Sequence, residues 1–348
     1  MRRTHLLDPP TRLHPPLVFA AATMGVLTLV TLGGLMLDDR VLVGVPIWLK
    51  PFKFAVSLAI YLATLAWLLS LSDGRRRTGG TRAGASSRTV GWWLGTVIAA
   101  GALLEMVIIV GQAARGRQSH FNVATALDAA LMAVMGATVV VIWCATAGIG
   151  LLLARQRIAD RPAGWAIRLG LLVALVGLAI GYPMTTPTEE QRAGLGTSAQ
   201  TLIGAHSVGV PDGGPGLPLL NWSTTGGDLR VGHFIGMHAL QALPLVALGL
   251  AIAGRRVRRL ADERVRVRLI AVLGAGYAGL TALVTWQALR GQPLIHPDAW
   301  TLAGAAVLLL GSAIGVGWAL TGTPVAAGGA PVIVGSGDDT RRVEGVAG

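Results

Sequence analysis

The chain has 348 residues, of which 53% are hydrophobic and only 13% charged, and its formal net charge is +12. Soluble domains average about 25% charged residues, so this composition excludes a soluble enzyme and an intrinsically disordered chain. Cys144 is the sole cysteine, which excludes a disulfide scaffold.

A bilayer-crossing helix needs about 20 apolar residues. After an arm over residues 1–16, eight segments reach that length: 17–37, 50–72, 91–112, 123–153, 166–184, 232–253, 269–289 and 300–320. They predict an all-α polytopic membrane protein with eight transmembrane helices in the bacterial cytoplasmic (inner) membrane. The fourth segment is long enough to tilt or to overrun the bilayer. Arg2-Arg3 suggests an export signal, but the first apolar run is span-length and reads as an uncleaved helix.

Arginines set the predicted orientation. Arg2, Arg3 and Arg12 precede the first span, and Arg75, Arg76, Arg77, Arg82 and Arg88 follow the second. Arg155, Arg157 and Arg161 follow the fourth, and Arg255, Arg256, Arg258, Arg259, Arg264, Arg266 and Arg268 separate the sixth from the seventh. In an eight-span chain these segments, with Arg341 and Arg342, share one side, predicted to be cytoplasmic together with both termini. The basic charge is thus a topology signal directed at the lipid bilayer, with no nucleic-acid partner.

Residues 185–231 form a long loop on the opposite, outer side, and loops of such length are often functional. Thr186-Pro187-Thr188-Glu189 predicts a helix start with Thr186 as the cap. From His206 to Gly216, glycines and prolines predict an irregular cover. Asn221-Trp222-Ser223 matches a glycosylation acceptor by pattern alone. Residues 321–348 read as a flexible cytoplasmic tail.

Two passages recur. Gln112-Ala-Ala-Arg115-Gly116 ends the third span, and Gln287-Ala-Leu-Arg290-Gly291 ends the seventh. Leu49-Lys50-Pro-Phe-Lys53-Phe54 opens the second span, and Leu229-Arg230-Val-Gly-His233-Phe234 opens the sixth. The repeat predicts two four-helix units of equal orientation, 17–153 and 154–320, with the loop inserted in the second. In repeat-built membrane proteins, sites lie at the interface of the repeats.

Ionisable residues inside a span are costly and point to a cavity or partner. Glu105 and Asp128 lie in the outer halves of the third and fourth spans, and Glu105 shares a helix face with Gln112. Pairing with Arg115, Arg117 or Lys53 is one reading of both, and a proton or cation site is the other. Lys50 and Lys53 are the only lysines among 29 basic side chains, and both open the second span. Lys53, Ser57 and Tyr61 form a polar stripe, repeated as His233, Met237 and Gln241 in the sixth span. Lys53 is read either as snorkelling to headgroups or as contacting an anion, quinone or headgroup.

His5 and His14 lie in the arm, whereas His120, His206, His233, His238 and His296 all fall in the outer half. His233 and His238 are five residues apart and cannot serve one metal from one helix face. Gly232 and Gly236 allow close approach of a helix or a flat ring. Phosphate-binding Gly-Lys-Ser, His-Glu-x-x-His and Gly-x-Ser-x-Gly motifs do not occur, which disfavours ATP-driven transport and zincin-type proteolysis.

Trp48-Leu-Lys-Pro-Phe-Lys-Phe54, Arg115-Gly-Arg-Gln-Ser-His-Phe-Asn122 and Gly232-His-Phe-Ile-Gly-Met-His-Ala-Leu-Gln241 resemble strings of an uncharacterised family of bacterial polytopic membrane proteins. That likeness covers most of the chain and implies no activity. In architecture alone the chain also resembles haem A synthase, with its eight spans in two four-helix bundles and outer histidines on even-numbered helices. This second likeness implies a haem b site, with His238 as axial ligand and His296 or His120 as its partner. It departs from that pattern in span two, which has Lys53 and no histidine, and at His296, which precedes its helix.

Three classes follow: a haem b or quinone redox protein, a carrier or channel for a small solute or ion, and a membrane scaffold or sensor. The second would use Glu105, Asp128 and Lys53, and the candidate ligand or ion site as a whole comprises Lys53, Glu105, Asp128, His233, Gln241, Arg115 and Arg290.

Overall fold

The computed structural model describes residues 13–73, 82–156, 158, 160–195 and 201–321. Arg2, Arg3, Arg12, His5, Arg75, Arg76, Arg77, Arg157, Arg341 and Arg342, with the tail from 322, lie outside the described residues. The long helices are α1 (Pro15–Leu37), α2 (Leu49–Asp73), α3 (Arg82–Ala114), α4 (Ala126–Ala154) and α5 (Arg161–Ala179). After a short α6 (Glu189–Ala193) come α7 (Leu229–Met237), α8 (Ala239–Ala253), α9 (Glu263–Leu289) and α10 (Ala299–Leu320). Among the described residues, seven helices are long and apolar enough to cross a membrane, and the bent pair α7–α8 makes an eighth. This is an all-α polytopic membrane protein.

Local chemistry sets the helix starts. Thr125, Asp160, Asp262 and Asp298 each cap a backbone N–H of the helix that follows, and Pro162 occupies the first turn of α5. The helices α3 and α9 begin earlier than the apolar windows at 91 and 269. Arg264, Arg266 and Arg268 belong to the first turns of α9, where a solvated helix extends past the hydrocarbon.

The sixth span is broken, bending by 43° between Met237 and Ala239. Gly236 precedes the break, and Pro244 in α8 has no N–H to offer the carbonyl of Leu240. A side chain on Gly177 of α5 would collide with the backbone of Gly236, so the two helices touch main chain to main chain.

Helix α1 packs on α2 and α3, α2 on α3, and α3 on α4. The same order recurs from the fifth span: α5 packs on α7–α8 and α9, α7–α8 on α9, and α9 on α10. The two sets meet through α4 against α5 and α2 against α8. A large apolar core runs through α1 to α5 and reaches Leu240 of α8. Phe19, Leu29, Val107, Leu172, Val307 and Ile314 face outward, as lipid-facing side chains do.

Short antiparallel strand pairs precede both α2 and α7. The first pairs β1 (Val41–Leu42) with β2 (Val45–Pro46), and the second pairs β3 (Ser207–Val208) with β4 (Gly227–Asp228). The 185–231 loop is tied down along much of its length. Ile203 donates to Phe121, Ala205 to Met184 and Leu229 to His206 through their backbone N–H groups. The cap of its short helix is Thr188, two residues beyond the expected Thr186. Thr188 and Gln191 form a reciprocal capping box, which Thr186 cannot make because its hydroxyl donates to Pro183.

Candidate functional site

At the end of the bundle that carries the long loop, two polar networks with different characters lie close together. The first is closed. Asp128, 1% exposed, accepts from Gln112 Nε2 at 2.9 Å, Thr125 Oγ1 at 2.8 Å, Arg117 at 2.9 Å and Arg115 at 3.4 Å. This carboxylate joins α3 to α4 and has no capacity left for a solute. Arg115, placed by sequence in a ligand site, is committed here.

The counterpart at the end of α9 has the same construction. Gln112 donates to the carbonyl of Gln118, and Gln287 to that of Pro293, six residues on in each case. Gly116 and Gly291 both adopt φ of 72°, the left-handed conformation that closes a helix most easily with glycine. Arg290 pairs with Asp298 at the start of α10, as Arg115 pairs with Asp128 at the start of α4. Arg290 is therefore a helix clamp.

The second network is open. Glu105 on α3 is 5% exposed, and its Oε1 has no hydrogen-bond partner among the described residues. Its expected partners are engaged elsewhere: Arg115 and Arg117 with Asp128, and Lys53 with the carbonyl of Leu220 at 2.9 Å. The charge acting on Glu105 is that of Lys50. The Lys50 ammonium makes no hydrogen bond or ion pair among the described residues and lies 5.9 Å from the Phe54 ring. From there a row of rings runs into the loop, Phe54 to His120 at 5.6 Å, His120 to Phe121 at 6.2 Å, and Phe121 to His206 at 4.8 Å. His206 Nδ1 ends the row 3.0 Å from Asp212.

Outside the spans the electrostatics are definite. Burial, reinforced by the positive field of Lys50 and His206, holds the His120 imidazole well below its ordinary range. Burial also lowers His206. Burial works against the Asp212 carboxylate, but hydrogen bonds from His206 and Ser207 outweigh it and hold Asp212 low.

Two cations latch the loop over this network. Lys53 donates to the carbonyl of Leu220, and Arg230 donates to the next one, that of Asn221, at 2.5 Å. Leu219 and Asn221 both have positive φ, a costly conformation for a side-chain-bearing residue. Asp228 in turn holds Arg230 through bonds of 2.6 and 2.9 Å. The Asn221-Trp222-Ser223 pattern is part of this latched turn, and Trp222 and Ser223 are buried. Sequence reasoning placed Lys53 in the site and missed Lys50, Asp212 and the Arg230 latch. The rarity of lysine was the available signal for Lys50; nothing local marks Asp212.

The remaining sequence candidates disperse. His233 Nδ1 bonds the carbonyl of Gly177 at 2.8 Å. His238 sits at the break in span six, its ring 4.4 Å from that of Phe234 and its Nδ1 3.3 Å from Gln241 Oε1. It hydrogen-bonds neither Glu105 nor Asp128. Gln241 donates across to Thr64 of α2 at 3.3 Å. His296 is exposed in the turn before α10. Ser57 and Tyr61 do not extend the Lys53 stripe as a ligand surface, since Tyr61 is buried against Thr146 of α4 at 2.5 Å.

The haem ring expected beside Gly232 and Gly236 finds no room there. The access next to Gly232 and Gly236 is filled by protein. A side chain on Gly232 would run into Thr285 of α9, and one on Gly236 into Gly177 and Thr281. The glycines serve helix contact rather than a flat ring. No group of three or more His, Cys, Asp or Glu able to hold a metal ion occurs among the described residues. The chain matches no protein-family model, no curated protein and no solved structure.

Proposed function

We propose that this chain is a carrier for a small anionic solute in the bacterial inner membrane, moving its substrate together with a proton. The observation that carries this reading is Glu105, a buried carboxylate with an oxygen unpartnered among the described residues, in the field of Lys50, whose ammonium has no hydrogen-bond or ion-pair partner among them. Leaving a carboxylate in hydrocarbon without a partner costs roughly 2.5–3.5 kcal/mol even on the mildest scale, so such residues mark ion and proton pathways.

The charge balance defines the step. Lys50 and Glu105 together are neutral. An anion drawn to Lys50 makes the site negative unless Glu105 takes up a proton, and low-dielectric surroundings penalise the uncompensated charge. Anion and proton therefore bind together and leave together. Neutral His120 and His206, with the rings of Phe54 and Phe121, supply a polar and aromatic wall.

Two architectural features support the reading. The sixth span is discontinuous, a feature of many carriers, and its first turn supplies the Arg230 latch that holds the loop. The loop is latched by Lys53 and Arg230 to two consecutive carbonyls, so an alternative anionic acceptor releases the cover. In this reading the arginine-rich ends and both termini face the cytoplasm and the loop faces outward.

Proteoliposomes loaded with a pH-sensitive dye test the proposal. Lactate, succinate and inorganic phosphate, added in turn outside, report proton-coupled entry as lumenal acidification. At least one should acidify the lumen faster than in protein-free vesicles, and Glu105→Gln should abolish that signal. No acidification with any of the three, or acidification that survives Glu105→Gln, would remove the basis for a proton-coupled carrier.

A further inference from the structure

We infer that the arginine-rich end of the bundle holds an anionic phospholipid in a cleft at the end of α8. The cleft, of about 560 Å3, is lined by Gly249, Ile252, Ala253, Arg255, Arg256 and Val257. Its lining is divided in sequence, with apolar residues from the last turns of α8 followed by two consecutive arginines. This is the order in which acyl chain and phosphate occur at a membrane surface.

The two arginines are free to receive a ligand. Arg255 and Arg256 are exposed, and neither side chain makes a hydrogen bond or ion pair among the described residues. Three other arginines of this end have protein partners. Arg259 donates to the carbonyl of Leu320 at 3.4 Å, Arg268 lies 5.0 Å from the Trp318 ring, and Arg168 donates to the carbonyl of Gln156 at 2.8 Å. The acids nearby are also occupied or buried. Asp262 accepts from the backbone N–H of Arg264, and Glu263 Oε1 is buried without a hydrogen-bond partner among the described residues, away from the exposed Arg255 and Arg256 side chains. Residues 254–268 carry seven arginines against these two carboxylates.

The mount is firm. The backbone N–H groups of Arg255, Arg256 and Val257 bond to the carbonyls of Ile252 and Ala253, and Gly254 is closed against Leu260. Below the cleft, Gly249 borders open space, and Ile252 and Leu245 are exposed along the same helix, forming a track for an acyl chain. Two guanidinium groups match a phosphodiester, which accepts paired N–H donors. A zwitterionic lipid brings an ammonium that the arginines repel. Charge bias toward one side of the membrane accounts for where the arginines lie, but not for an apolar-floored cleft beneath two that have no protein partner.

Thermal unfolding of the full-length protein in neutral detergent tests this, with phosphatidylglycerol, phosphatidylcholine and inorganic phosphate added separately. Phosphatidylglycerol should raise Tm in a saturable way, and the other two should not. Arg255→Ala/Arg256→Ala should raise the half-saturating lipid concentration by about tenfold, the loss of roughly 1.4 kcal/mol. Arg155→Ala/Arg161→Ala, which removes the same charge from the same end, should leave it unchanged. Gly249→Leu keeps every charge and fills the floor, so it should also weaken the shift. An equal shift with phosphatidylcholine or phosphate, an equal loss in the Arg155/Arg161 variant, or an undiminished shift in both the Arg255/Arg256 and the Gly249 variants would overturn the site.

Discussion

Glu105 and Asp128 are both buried carboxylates, yet they differ in what surrounds them. Asp128 accepts from four side chains, whereas Glu105 leaves an oxygen without a partner. Asp128→Ala should destabilise the protein by about 2 kcal/mol, since it removes the buried acceptor shared by Gln112 and Thr125 while Arg115 and Arg117 regain solvent. Glu105→Gln should leave Tm unchanged or raised, because it removes a charge that nothing compensates fully. Equal losses in the two variants would show that Glu105 is also a structural clamp. Both positions were legible in the sequence as costly residues in apolar segments. Their separation into clamp and free group was not, because it depends on where Arg115, Arg117 and Lys53 reach after folding. His120 adds a pH dependence. It is surrounded by Phe54, Phe121, Ser119, Lys50 and His206, and its folded pKa lies below the unfolded value of about 6.5. Its contribution to stability is therefore fully present above roughly pH 6.5 and is lost as pH falls toward the folded value. Amide protection over residues 201–228, corrected for the slower intrinsic exchange at lower pH, should decrease between pH 7.5 and 5.5, and protection that increases on acidification would contradict this.

Among the helices, the sixth span shows how far periodicity carries and where it stops. The apolar run from 232 to 253 identified a crossing segment, and Gly232 and Gly236 marked a close approach. What approaches is α5 and α9, through Gly177 and Thr285, and not a cofactor ring, and a one-dimensional pattern does not distinguish these. The 43° break also escaped prediction, because Pro244 and Gly236 are each tolerated in straight membrane helices. Gly177→Ala should lower Tm by several degrees, because a methyl group forces two backbones apart, whereas Gly25→Ala, which meets nothing within 4 Å, should be neutral. Indistinguishable melting of the two variants would mean that the α5–α7 contact is not close. The helix-ending motifs read well from sequence. Gln112 through Gly116 and Gln287 through Gly291 adopt the same turn because each encodes its own closure in a glycine, a glutamine and an arginine.

For the molecule as a whole, apolar runs and arginine placement were sufficient for an all-α polytopic architecture, since the bilayer restricts a chain to few solutions. The candidate site was less legible because it is assembled from α2, α3, the α3–α4 turn and a loop that follows α5 in the chain. The proposed orientation predicts that, with Cys144 replaced by Ala, Thr225→Cys reacts with a membrane-impermeant maleimide on intact spheroplasts and Ala261→Cys only after permeabilisation. The reverse pattern would invert the topology. The central claim is that Glu105 moves a proton with an anion bound near Lys50. The most direct test is substrate-dependent proton entry in proteoliposomes of matched orientation, comparing wild type, Glu105→Gln and Lys50→Ala at a clamped membrane potential. The account predicts acidification in the wild type that is indifferent to that potential for a monovalent substrate such as lactate, absent in Glu105→Gln, and shifted to higher substrate concentration in Lys50→Ala. Substrate entry without proton movement, at the same rate in wild type and Glu105→Gln, would contradict it.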